Sequence, residues 1–138
     1  MDAQSIALVQ STFAAVVPVA DRFAEQFYAH LFTADPELRS MFATDLTAQR
    51  QKLVDELVAI VETLGRLPTL VARTTELGRR HAGYGVEPHH YDLVLDAILH
   101  AFTVCIPDQM TTEAVQAWRR AYHLVAETMM YGAAHGPA

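Results

Sequence analysis

The chain has 138 residues, 51% of them hydrophobic, with 10 lysines and arginines against 16 aspartates and glutamates and a formal net charge of −6. That length suits one domain with a sizeable core, and the apolar content argues against disorder. The acidic balance argues against a nucleic-acid partner or an anionic membrane surface, and the single cysteine, Cys105, cannot form an internal disulfide that would require an oxidising compartment.

Met1-Asp2 lacks the basic region of a secretory signal. The uncharged run 3–20 is punctuated by Gln4, Ser5, Gln10, Ser11 and Thr12 and closes near Pro18. It reads as an amphipathic surface helix, not a membrane span, and a soluble cytoplasmic protein is expected. Ile6, Val9, Phe13 and Val16 recur at helical steps, and the stripe restarts after Pro18 with Ala20, Phe23, Phe27 and Leu31. Asp35-Pro36-Glu37 is a helix-start signal, because the aspartate caps the turn and proline sits where no N–H is needed.

From Gln49 the apolar stripe is Leu53, Leu57, Ile60 and Leu64, ended by Gly65 and Pro68. The next stripe is Leu70, Thr74, Leu77 and His81, stopping near Gly83 or Gly85. Pro88 opens a helix carrying Tyr91, Leu95, Ile98, Phe102 and Cys105, which Pro107 closes. The last helix reads Val115, Trp118, Tyr122, Val125 and Met129. No alternating strand pattern interrupts, so an all-α chain of about seven helices of mixed length is expected.

Three residues could carry chemistry. His81 follows Leu77 by one turn, so its ring points along an apolar face and needs a hydrogen-bond partner or a metal. Gln49 precedes Leu53 by one turn, where its amide could serve a ligand pocket or simply start a helix at the surface. Tyr28, beside Phe27, could be a functional hydroxyl or an ordinary core tyrosine whose tip reaches water.

Other sites fare worse. Glu87-Pro88-His89-His90 holds one Glu-x-x-His spacing, but proline breaks its helix and the companion glutamates of a di-iron centre are missing. His89 and His90 are expected to point to different faces, in solvent. The sequence contains no His-Glu-x-x-His run, cysteine cluster, Gly-rich phosphate loop or nucleophile elbow.

Four stretches, FYAHLFTADPELRSMF (27–42), AQRQKLV (48–54), LGRRHAGYGVEPHHYDLV (77–94) and AWRRAY (117–122), carry a resemblance in order and spacing. Over roughly residues 2–132 the chain resembles the single-domain bacterial haemoglobins and the globin domain of flavohaemoglobins. That resemblance implies a globin fold around a haem pocket, with residues 1–138 as a single domain binding haem b (iron protoporphyrin IX). It implies His81 as proximal iron ligand, Phe42 packed on the haem face, Tyr28 and Gln49 as distal donors, and Leu53 as an apolar wall. Tyr91, ten residues beyond His81, is implied to lie on the proximal side. Lys52, the one lysine, and Arg80 could meet the haem propionates or stand as ordinary solvated cations.

The implied function is reversible and tight binding of dioxygen, with nitric oxide or carbon monoxide as other ligands, by a monomer or weak homo-oligomer. A nitric oxide dioxygenase served by an external reductase is the enzymatic alternative. A haem-based gas sensor acting through a partner is a third. One departure bears on the choice. Flavohaemoglobins carry a glutamate late in the last helix, linked to the proximal histidine; the matching residues 133–135 are Ala133, Ala134 and His135, and Glu127 lies two turns too early. No reductase domain follows within the sequence, which ends at Ala138.

Overall fold

A computed structural model describes residues 1–135. It contains six α-helices: α1 (Ala3–Val16), α2 (Ala20–Ala34), α3 (Thr47–Thr63), α4 (Leu67–Gly83), α5 (His90–Cys105) and α6 (Thr112–Ala134). Two 3-10 segments, Val17–Val19 and Pro36–Met41, follow α1 and α2, and no strand occurs among the described residues. The all-α expectation holds, with the short element after Asp35 wound as a 3-10 turn.

Local chemistry explains the boundaries. The Asp2 carboxylate accepts from the Ser5 N–H at 2.7 Å to start α1, and the Thr111 hydroxyl accepts from the Ala114 N–H at 3.1 Å to start α6. Asp35 accepts from the Glu37 N–H at 3.2 Å ahead of Pro36. Each such cap stabilises its helix by about 1 kcal/mol. Pro18 sits in the 3-10 turn between α1 and α2, and Pro68 lies in the first turn of α4, where its missing N–H costs no helical bond.

Aromatic side chains join four helices. Phe13 of α1 meets Trp118 of α6 with ring centroids 6.4 Å apart, Trp118 meets Phe102 of α5 at 4.5 Å, and Phe102 meets Phe23 of α2 at 4.9 Å. The buried indole N–H of Trp118 donates to the Thr12 hydroxyl at 2.7 Å, so the core carries no orphan donor there. By length and composition the run Ala3–Ala34 could cross a membrane. Here Val9, Phe13, Val16, Phe23 and Phe27 along it are buried in the protein core.

Helices α4 and α6 approach closely at two glycines. A Cβ on Gly78 would lie 1.9 Å from the Met129 carbonyl oxygen, and one on Gly132 would lie 1.9 Å from that of Thr75. Beside these points the Thr74 and Thr128 hydroxyls meet at 2.5 Å. Only glycine permits that backbone-on-backbone contact. The crossing fixes the part of α4 that leads into His81.

Candidate functional site

Tyr28 projects from α2 into an aromatic cluster and is only 4% exposed. Its ring lies edge-on to Phe27 at 4.9 Å and to Phe42 at 5.6 Å, and stacks on Phe32 at 5.8 Å. Phe42 caps the 3-10 segment Pro36–Met41. The loop beyond it is shaped by Arg39, whose guanidinium donates to the Ala43 and Thr44 carbonyls at 2.8 and 2.7 Å and covers the Phe32 ring at 5.3 Å. Phe32 was not apparent from sequence as part of this group; its position one turn after Tyr28 is the signal that could have found it.

Gln49, in the first turn of α3, donates from Nε2 to the Tyr28 Oη at 3.0 Å. The direction of that bond matters. The phenol oxygen is the acceptor, so its own O–H remains available to donate elsewhere. Burial pushes the Tyr28 pKa up from 10.0, only partly offset by the Gln49 bond, which keeps the phenol protonated at neutral pH. Leu53 follows one turn later on α3 and is half-buried, whereas Lys52 points outward and is exposed.

His81 lies near the end of α4, one turn beyond buried Leu77. Its Nδ1 is 2.8 Å from the Leu77 carbonyl oxygen. A carbonyl can only accept, so Nδ1 carries the proton and Nε2 keeps an unshared pair. Burial lowers the His81 pKa from 6.5, against a smaller upward pull from that carbonyl, and so favours the neutral ring. Tyr84 stands edge-on to the imidazole at 6.4 Å. Arg80 is exposed, and among the described residues neither it nor Lys52 enters an ion pair.

On α5, Tyr91 is half-buried. Its backbone carbonyl accepts from the Tyr122 hydroxyl of α6 at 2.6 Å, and burial pushes the pKa values of both phenols up. Sequence reading missed this role of Tyr122. Residues 133–135 are exposed at the end of α6. Among the described residues no carboxylate hydrogen-bonds His81, whose ring partner is the neutral Leu77 carbonyl.

The structure therefore assembles Tyr28, Gln49 and Phe42 as one group and places His81 on α4, Leu53 on α3 and Tyr91 on α5. Phe42, Gln49, Leu53, His81 and Tyr91 are all only half-buried, although four of them lie on apolar stripes that a closed core would cover. A paired ion contact, Arg73 of α4 to Glu56 of α3 at 2.9 and 3.1 Å, ties the helices of His81 and Gln49 together. A haem fits this donor set: a neutral imidazole with a free Nε2, apolar side chains with surface left to cover, and hydroxyl and amide donors.

The adjacent histidines depart from expectation. The His89 and His90 rings do not diverge; their centroids are 4.1 Å apart at 47°. They converge because His89 precedes the first turn of α5, where successive side chains are not yet spread around a helix.

Comparison with known proteins agrees with this fold. A family model described as Globin matches residues 25–129. A flavohemoprotein of Bacillus subtilis is 25% identical over 133 residues, covering 94% of this chain and 33% of the relative. A globin-like protein of Aquifex aeolicus is 27% identical over 128 residues, covering 92% of this chain and 90% of the other. The chain thus spans about a third of the length of the flavohemoproteins it matches. Among solved structures, an engineered carbene transferase made from a candidate nitric oxide dioxygenase of Rhodothermus marinus superposes with a TM-score of 0.84 at 27% identity, covering 97% of this chain and 94% of that one. A bacterial globin of Campylobacter jejuni gives a TM-score of 0.84 at 18% identity, covering 96% of each chain, a likeness of fold.

Proposed function

The chain belongs to the globin family, and from that premise we propose that it is a cytoplasmic haem protein that reversibly binds dioxygen. In this reading the whole chain is one haem-binding domain, with His81 as iron ligand and Tyr28 as the main donor to the gas. The observation that carries it is the Gln49-to-Tyr28 hydrogen bond of 3.0 Å, which leaves the phenol O–H free to point at a ligand.

Haem iron, when bound, would supply a metal centre that a diatomic gas can ligate and on which the gas gains electron density. The residues of the chain do the rest. His81 is held by Leu77 with Nε2 free, so its ring is preorganised to hold the iron. Tyr28, polarised by the amide that donates to it, is a fixed donor in a largely apolar site, where such a bond is stronger than in water. Phe42, Leu53 and Tyr91 offer apolar surface to the ring, and Lys52 and Arg80 are the cations available to its propionates. Haem b suits the chain, because a single cysteine provides no paired-thiol attachment.

The neutral Leu77 carbonyl behind His81 favours binding over redox catalysis, since a carboxylate there would make the imidazole more electron-donating. The likeness to a candidate nitric oxide dioxygenase over 97% of the chain supports a second reading. In it, nitric oxide and dioxygen become nitrate, with one electron per turnover supplied by a reductase. Oxygen release from the Tyr28→Phe variant tests the first reading, and steady-state nitric oxide consumption tests the second.

A further inference from the structure

The Glu87-Pro88-His89-His90 stretch acquires a third partner in the fold. Asp35, at the start of the 3-10 segment Pro36–Met41, lies across from the two histidines. One ligand-capable atom from each of Asp35, His89 and His90 falls within 4.8 Å of the others. Among the described residues this is the only group of three such side chains; the His30–His100 stack at 4.2 Å has no third member.

The geometry points to a divalent transition-metal site here, of the zinc class, with two imidazole nitrogens and one carboxylate oxygen as protein ligands and water completing the shell. The ligand set is that of an open three-ligand site, and imidazole with carboxylate selects zinc-like cations over magnesium or calcium. The site does not depend on the haem reading.

Three further observations support it. First, both sides are braced. The Asp35 Oδ1 accepts from the Glu37 N–H at 3.2 Å, leaving its second oxygen for a metal. The His90 N–H donates to the Glu87 carbonyl at 3.0 Å and the Tyr91 N–H to that of Pro88 at 3.2 Å. Second, the Glu87 carboxylate lies 3.5 Å from the His89 Nδ1. A carboxylate behind the imidazole orients a metal-binding histidine and turns its Nε2 outward.

Third, the cluster opens on a cleft of about 1050 Å³ whose wall also holds Glu37 and Glu87. Its one cation, Arg39, is turned to the Ala43 and Thr44 carbonyls. The positive end of α5 opposes a cation, but three carboxylates, those of Asp35, Glu37 and Glu87, face it there. The Glu87 N–H now donates to the His90 Nδ1 at 2.9 Å. Metal binding requires that ring to give up this bond, or to turn it, so that a nitrogen with a free pair meets the ion.

Calorimetric titration of the purified full chain with zinc chloride, with and without haem, tests the site. The expected result is one equivalent of zinc in both forms, weakened at least about tenfold by His89→Ala and by Asp35→Asn, and also by Glu87→Gln. Asp35→Asn keeps an oxygen for the Glu37 N–H, so the fold survives. His30→Ala should leave the binding unchanged. Absence of saturable binding would overturn the proposal. So would binding that Asp35→Asn and His89→Ala leave intact, or binding that haem abolishes.

Discussion

Gln49 and Tyr28, 21 residues apart in sequence and on different helices, meet through a 3.0 Å hydrogen bond in which the amide donates and the phenol accepts. That polarity assigns unequal roles to the pair. Tyr28 holds the free O–H, and Gln49 fixes where it points.

Loss of the Tyr28 hydroxyl should therefore be the larger defect. A hydrogen bond to a charged acceptor contributes about 1.5–3 kcal/mol, so Tyr28→Phe should speed oxygen dissociation roughly 10- to 100-fold in stopped-flow measurements. Gln49→Leu removes a neutral bond of about 0.5–1.5 kcal/mol and should speed it roughly 2- to 10-fold. Equal effects of the two substitutions would contradict the assigned roles.

The same phenol sets an alkaline dependence. Burial raises its pKa in the folded protein above the 10.0 of an exposed tyrosine. Below that value both states hold the proton and the contribution to stability is complete. Above it the unfolded chain loses its proton first, so stability falls until the folded value is passed. Urea midpoints should drop as pH rises above 10.0, and drop less in Tyr28→Phe; parallel profiles would sink the account. Tyr91 and Tyr122, also raised by burial, should supply the remaining slope.

The α4–α6 crossing is expected to be intolerant. Gly78→Ala gains up to about 1 kcal/mol of helix propensity, but its methyl would meet the Met129 carbonyl at 1.9 Å. Backbone must move, and the overpacking cost of about 1–3 kcal/mol should win, lowering the melting temperature by several degrees. A melting temperature at or above that of the unchanged protein would show that the helices separate freely. Gly132→Ala, facing Thr75, should behave alike.

With the neutral Leu77 carbonyl behind His81, the protein should consume nitric oxide about stoichiometrically and then slow in the ferric form even when an electron donor is supplied. Sustained turnover with a reductase at rates comparable to those of a dedicated dioxygenase would move the reading to the enzyme.

Much of this fold was legible because helical stripes and the Asp35-Pro36 start signal are local. So was the placement of His81 on an apolar face one turn after Leu77. The Tyr28–Gln49 pairing was suggested by resemblance, since residues on two helices carry no local mark of facing each other. Three features escaped sequence reading. The direction of the Gln49 bond depends on tertiary placement, as does the glycine crossing, whose members are 54 residues apart. The convergence of Asp35 with His89 and His90 joins two chain reversals that no periodicity links.

The central claim is that His81 holds a haem on which a gas binds under Tyr28. Absorption spectra of the purified full chain, expressed with adequate haem, test it most directly in the ferric, ferrous and oxygen-exposed states. The account predicts a Soret band that shifts on reduction and again, reversibly, on exposure to oxygen. It also predicts loss of the band, or a different axial signature restored by added imidazole, in His81→Gly. No Soret absorption, or spectra of His81→Gly that match those of the unchanged protein, would contradict it.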